Sequence, residues 1–190
     1  MAAAAKARAV PKPAPAKPRY RPGGHFTQTT DQGNPVYWGY CGGTIAVNTG
    51  LMSKTDQAVV LRTAKDFTTT ASGHWRVTTT TGTEGYGSTV VVTMDGGPDA
   101  ENAWGYTFTT LDEDRPDTRI DKATTHLGLD LRGRPDFLRA VTLHELAHTV
   151  GVDHNNDPAD VMVTTMDTPW AEYTVAEANG IHWISGRACH

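Results

Sequence analysis

Apolar positions along the chain recur with two different periods, and the change from one to the other marks out the elements. Around residues 44 to 48 ("TIAVN") a β-branched and apolar run closed by Gly50 predicts a first strand. Ser53 then stands three before Asp56, a capping signal, and Ala58, Leu61, Ala64 and Phe67 follow at helical spacing. This predicts an amphipathic helix ending near Gly73. Three segments rich in β-branched and aromatic residues come next, "HWRVTTTT", "STVVVTMDG" and "AWGYTFTT", parted by glycine-containing turns and read as strands; "RIDKATTHLGLD" is a weaker fourth. Pro135 opens a helical stretch over about 136 to 150, with Phe137, Leu138, Val141 and Leu146 available to a core, until Gly151 stops it. Thr174 with Glu177 forms a second capping box, and a last helix carries Val175, Ala178, Ile181 and Ile184.

The order strand, helix, several strands, helix, loop, helix suits an α+β architecture: a mixed sheet backed by two helices, with a smaller C-terminal part. A cleft between the two parts is the natural place for a site. Proline and alanine dominate as far as Pro22, and "GGHFTQTTDQGNP" is rich in turn residues. Residues 1–34 are therefore expected to form a basic Ala/Pro/Lys-rich disordered tail, and residues 35–190 one folded domain.

Composition narrows the classes. Charged residues at 20% and apolar residues at 38% are those of an ordinary globular protein, and no apolar run approaches the roughly 20 residues of a membrane span. The formal charge of -4 hides an asymmetry: Lys6, Arg8, Lys12, Lys17, Arg19 and Arg21 stand in the first 30 residues with no acid, and removing those six charges leaves -10 for the remainder. The tail lacks the aromatics of a single-strand binder and any amphipathic period, which favours a solvated linker over nucleic-acid binding. No apolar stretch of about 7 to 15 residues follows its cations, so no signal peptide is read there and synthesis in the cytoplasm stays open. The two cysteines, Cys41 and Cys189, could close one long loop as a disulfide or stand as two separate buried thiols.

The densest chemistry lies in "HELAHTVGVDH", residues 144 to 154. On a helix His144 and His148 are one turn apart on the same face, so both rings can reach one Zn2+ at about 2.0 to 2.1 Å. Gly151 can adopt the left-handed conformation that turns the chain back and brings His154 in as a third ligand. Three protein ligands leave a fourth position to water, the mark of a catalytic rather than a structural zinc. Glu145 is placed to act as general base toward that water and then to pass the proton to a leaving amine. A bare H-E-x-x-H arises often by chance, whereas the five fixed letters of the extended pattern arise on the order of once in a few million start positions.

This H-E-x-x-H-x-x-G-x-x-H pattern resembles that of the metzincin metallopeptidases. Met162 in "NNDPADVMV" follows His154 at a distance similar to that of the matrixin Met-turn, a buried methionine beneath the zinc; "TVAEANGIHWISG" is similar to the matrixin final helix, and "NPVYWGYCGGTIAVN" to the first strand of secreted bacterial and viral matrixin-like domains. The resemblance is loose over residues 35 to 187 and specific over 144 to 162. It implies a zincin with a mixed, mostly parallel twisted sheet, two long helices, a zinc cleft and a small C-terminal subdomain ending in a helix. It further implies a zinc endopeptidase acting on extended protein or peptide substrates, a monomer, with an extracellular or virion-associated setting.

Within that resemblance the family's substrate-pairing edge strand maps onto "WGYTFTT", so Gly105, Tyr106 and Thr107 become candidates for substrate binding, with sheet packing as the alternative. Val163 and Thr164 could line a specificity pocket. No tyrosine stands two residues after Met162, which favours the matrixin branch over those with a tyrosine ligand. No cysteine precedes Cys41, so the cysteine switch of vertebrate matrixins is missing. Structural zinc or Ca2+ sites find no recognisable spacing: His74, His126 and "DGGPDAEN" offer ligands but read better as solvated loops. A catalytically weak metzincin-fold binding or structural module, such as a viral particle component, is the alternative function, with the intact Glu145 standing against it.

Overall fold

The computed structural model describes residues 28–29, 34–96, 104–112, 119–155, 157–170 and 172–189. Apart from residues 28, 29 and 34, the tail expected from the sequence lies outside the described residues, as does most of "DGGPDAEN". Six strands form one sheet: β1 (Tyr37–Trp38), β2 (Gly42–Asn48), β3 (His74–Thr80), β4 (Thr89–Thr93), β5 (Gly105–Leu111) and β6 (Arg119–Leu127). Helix α1 (Lys54–Thr70) connects β2 to β3, α2 (Pro135–Thr149) follows β6, and α3 (Val175–Ser185) comes last. The sheet is mixed and mostly parallel, as expected: β3, β2, β4 and β6 run parallel in that spatial order, two-residue β1 adds to the start of β6, and β5 pairs antiparallel with β6 at the edge.

Central strands covered on their faces need apolar residues on both sides, and β4, "TVVVT", is buried from Val90 through Thr93. Helices α1 and α2 lie against each other and against the sheet, with Phe67, Leu138, Leu146 and Ile45 in one core. Ser53 caps α1 by accepting from the Asp56 backbone N–H at 3.1 Å, and the Asp56 carboxylate accepts in turn from Gly133 N–H at 3.2 Å, fastening the start of α1 to the loop before α2.

The buried face of α1 differs from the one read off its apolar letters. Asp56, Val60, Thr63, Ala64 and Phe67 are buried, while Ala58 is exposed. Steps of strictly three lag the helix by about 60° each, so Ala58 and Phe67 end on opposite faces. The same correction applies to α3, where Val175 is 52% exposed and the core receives Glu177, Ile181, Ile184 and Ser185. Val175 is the first helical residue after the Thr174 cap, and a rotation of about 200° separates it from Glu177. Strand β1 lies ahead of the strand expected at residues 44 to 48, within the stretch that resembles a matrixin-like first strand; it is a separate element that pairs with Arg119 and Ile120.

Helix α3 packs against α1 and β1, and Ser185 Oγ accepts from the Ser72 backbone N–H at 2.8 Å. Cys41 and Cys189 are joined by a disulfide that ties the end of the chain to the loop before β2, across a sequence separation of 148. A closure of that length restricts the unfolded chain by about 5 kcal/mol in the chain-entropy description. Among the described residues no helix is long and apolar enough to cross a membrane.

Candidate active site

Helix α2 is buried nearly all round from Ala140 to Thr149, because it is wedged between the sheet and α1. Two of its polar residues, His144 and His148, therefore stand buried on one face, one turn apart. The helix ends at Thr149, and Gly151 carries φ +99°, where a Cβ would collide with the Val36 carbonyl. Both constraints demand glycine. The reversal brings His154 to the other two: the three Nε2 atoms lie 3.1, 3.1 and 3.2 Å apart.

The outer nitrogens decide the tautomers. His144 Nδ1 lies 2.7 Å from Val161 O and His148 Nδ1 2.7 Å from Val152 O. A carbonyl only accepts, so each Nδ1 carries the proton and each Nε2 presents a lone pair. His154 has one proton to offer, so the His144 to His148 edge still sets two lone pairs against each other, an arrangement that a shared cation resolves. Nitrogens bound tetrahedrally at about 2.0 to 2.1 Å would stand about 3.3 Å apart, close to the spacing here. Burial lowers the His144 pKa to about 4, and burial with the neighbouring His144 lowers that of His148 to about 3, so both rings stay neutral well below the usual imidazole range. Among the described residues this triad is the one cluster of three side chains suited to a metal.

Glu145 follows His144 and is 4% exposed. Burial raises its pKa to about 7, partly opposed by a hydrogen bond from Thr107. Thr107 Oγ1 is 2.8 Å from Glu145 Oε2 and 3.1 Å from Thr125 Oγ1, which sits opposite it in the β5 to β6 register. The Thr107 hydroxyl also lies 2.9 Å from the Glu145 backbone O, so its one proton is shared between that carbonyl and the carboxylate while Thr125 donates to it. Gly105, two residues earlier on the same face of β5, leaves room for the acid: a Cβ there would come within 2.7 Å of Val141 Cγ1 and 3.0 Å of Glu145 Oε1.

All three sequence candidates on β5 border the cleft, which has a volume of about 780 Å3. They divide by face. Gly105 and Thr107 turn to Glu145, while the Tyr106 ring stacks on His126 at 4.6 Å on the other face. His126 Nδ1 lies 2.8 Å from Asp95, and His74 is exposed at the start of β3; neither joins a cluster of three possible ligands among the described residues. Val163 and Thr164 line the cleft opposite α2.

Met162 is fully buried, and the segment bearing it is held twice. Its N–H donates to Glu177 Oε1 at 2.8 Å, and Val161 O beside it receives the His144 proton. Glu177 completes the capping box on Thr174 with its other oxygen, at 2.8 Å from the Thr174 N. The capping box was legible in the sequence; its reach to Met162 was not, since nothing local to residues 174 to 177 points to residue 162.

No protein-family model matches the chain, and no curated protein matches it. Among solved structures it is similar to high choriolytic enzyme 1, a hatching enzyme zinc-protease from Oryzias latipes (medaka fish), at 11% identity over 83% of this chain and 92% of that one, with a TM-score of 0.42. A likeness at that level carries nothing about activity.

Proposed function

We propose that the protein is a zinc-dependent endopeptidase of the matrixin type, acting on extended protein or peptide substrates as a monomer. The observation that carries this reading is the convergence of three Nε2 atoms, two of them deprotonated by their own backbone partners, beside a buried carboxylate on the same helix. His144, His148 and His154 hold the metal. When bound, zinc supplies Lewis-acid polarisation of a scissile carbonyl and makes water acidic near neutral pH.

The remaining work belongs to the chain. Glu145 accepts the proton of the attacking water and returns it to the leaving amine; a carboxyl raised to about 7 is matched to both transfers. Thr107 is the positioning residue that fixes Oε2, leaving Oε1 toward the cleft. Gly151 and Met162 shape the site without touching substrate. Gly105 and Thr107 are the parts of β5 nearest the reacting groups, and among the described residues β5 pairs on one side only, which leaves its other edge suited to an extended peptide. The matrixin assignment is supported by Thr164, which stands where related branches place a tyrosine ligand after the methionine. The disulfide supports an oxidising setting, outside a cell or in a particle.

The test is cleavage of an unstructured protein such as casein by zinc-loaded wild type beside Glu145→Ala, with the zinc content of both measured. Cleavage by wild type alone, stopped by a chelator, is the expected result. Stoichiometric zinc in both with cleavage by neither removes the peptidase reading.

A further inference from the structure

The cleft does not stop at the histidines. Its wall follows α2 backward from His148 through His144 and Glu145 to Val141, Phe137 and Arg134. At 1.5 Å per residue the last two lie about 10 and 15 Å along the helix from His144. There the Trp104 and Phe137 rings meet edge to face at 4.6 Å, and the Arg134 guanidinium carbon sits 5.1 Å from the first ring centroid and 4.3 Å from the second.

Arg134 is badly suited to its place in the helix. It occupies the N-cap of α2, makes no side-chain cap hydrogen bond there, and puts a cation at the positive end of the helix dipole. Ser, Thr, Asp or Asn at that position would each stabilise the helix by about 1 kcal/mol more. Its return comes from the two rings rather than from the helix end, and that contact fixes a cation on the wall of the cleft. What the position provides is an exposed guanidinium packed beside two rings, with donors available to a planar acceptor. Among the described residues no carboxylate pairs with it. Asp153 and Asp167 line the same cleft, but Asp153 accepts from the His154 backbone N–H at 2.8 Å, beside the triad.

We propose that this end of the cleft selects substrates with an acidic side chain about three to five residues from the scissile bond, the number of extended residues that span about 10 to 15 Å, and that Arg134 is the specificity-determining residue. The proposal rests on the peptidase reading for the orientation of the peptide, and it deepens that reading by naming a substrate class. A glutamate or aspartate reaching back along α2 from the triad meets the guanidinium in the bidentate geometry that an uncharged amide of the same shape cannot reproduce. The aromatic pair excludes water from one side of that contact and so strengthens it.

The experiment separates binding from turnover. Zinc-loaded Glu145→Gln protein is titrated with labelled peptide pairs that differ only by Glu against Gln, or Asp against Asn, moved one position at a time; affinity is read by fluorescence anisotropy. At one position the acidic member should bind about tenfold more tightly, and Arg134→Gln, with its fold checked by circular dichroism, should remove the difference. Arg134→Lys should keep part of it. Equal affinity at every position, preference for a neutral or basic member, or no binding of either overturns the proposal. Wild-type turnover of the same pairs separates the two readings: acid preference in binding without cleavage sinks the peptidase and leaves the pocket assignment, while cleavage indifferent to charge does the reverse.

Discussion

Glu145 and Glu177 are the same residue type, each buried on a helix at 4% and 2% exposure, each with its pKa raised to about 7 chiefly by burial. Their hydrogen bonds separate them. Glu177 spends both oxygens on backbone N–H groups, those of Met162 and Thr174, while Glu145 receives one side-chain hydroxyl on Oε2 and turns Oε1 toward Gly105 and the cleft. A buried carboxyl with a raised pKa is therefore no sign of catalysis in itself. The distinguishing feature is an oxygen left for a ligand by a fold that could have covered it.

The sharpest test of that contrast is Glu145→Gln, which should lower kcat on casein peptides by about a thousandfold and leave the melting temperature unchanged or higher, because a buried acid has been removed. A variant that melts earlier would make Glu145 a structural residue like its counterpart. Glu177→Gln should behave oppositely, turning an amide N–H against one of two backbone donors at a cost of about 1 to 3 kcal/mol in urea unfolding and loosening the Met162 segment. The pH dependence of that cost has a definite sign. A carboxyl whose folded pKa exceeds its unfolded value binds protons more tightly in the native state, so its contribution is present at low pH and is lost as pH rises from about 4.5 to 7. The gap between wild type and Glu177→Gln should accordingly narrow over that range; a widening gap contradicts the assignment.

A smaller effect is expected at Thr107. Thr107→Val keeps the shape of the side chain but frees Oε2 of Glu145, and kcat should fall about tenfold with KM unchanged, with Thr107→Ser restoring most of it. A rise in KM instead would return Thr107 to the substrate-binding role read from the sequence. The subtlest measurement is calorimetry of zinc uptake by Glu145→Gln protein, which lacks the buried carboxyl that would itself release a proton, near pH 6 in buffers of different ionisation enthalpy. Because burial keeps His144 and His148 neutral there, they have no proton to give up; release of about two or more protons per zinc would show that the Nε2 atoms are protonated before the metal arrives.

How much of this was legible depends on how far apart the interacting residues lie. The histidines and Glu145 fall within eleven residues on one helix and its turn, so spacing alone brings them together. The order of elements likewise followed from periodicity. The buried faces of α1 and α3 do not follow their apolar letters, because steps of three drift off one helical face and because Asp56, Thr63 and Glu177 are polar residues that the core accepts once their hydrogen bonds are met. The sequence points to Thr107 through its backbone, whereas the structure sets its hydroxyl against Glu145; two-residue alternation is the signal that places it with Gly105 on the side facing the motif helix. Arg134 gave no sequence signal, since its meaning lies in Trp104, thirty residues earlier.

The Cys41 to Cys189 bridge has one more effect on a molecule of this kind. It makes nearly the whole domain a covalent ring, from which no single backbone cut between the two cysteines can release a piece. On the peptidase reading, a cut made by one copy in an exposed loop of another would leave a molecule heavier by one water and separable into two chains only by a reductant. Wear would then be invisible to size and visible only to chemistry.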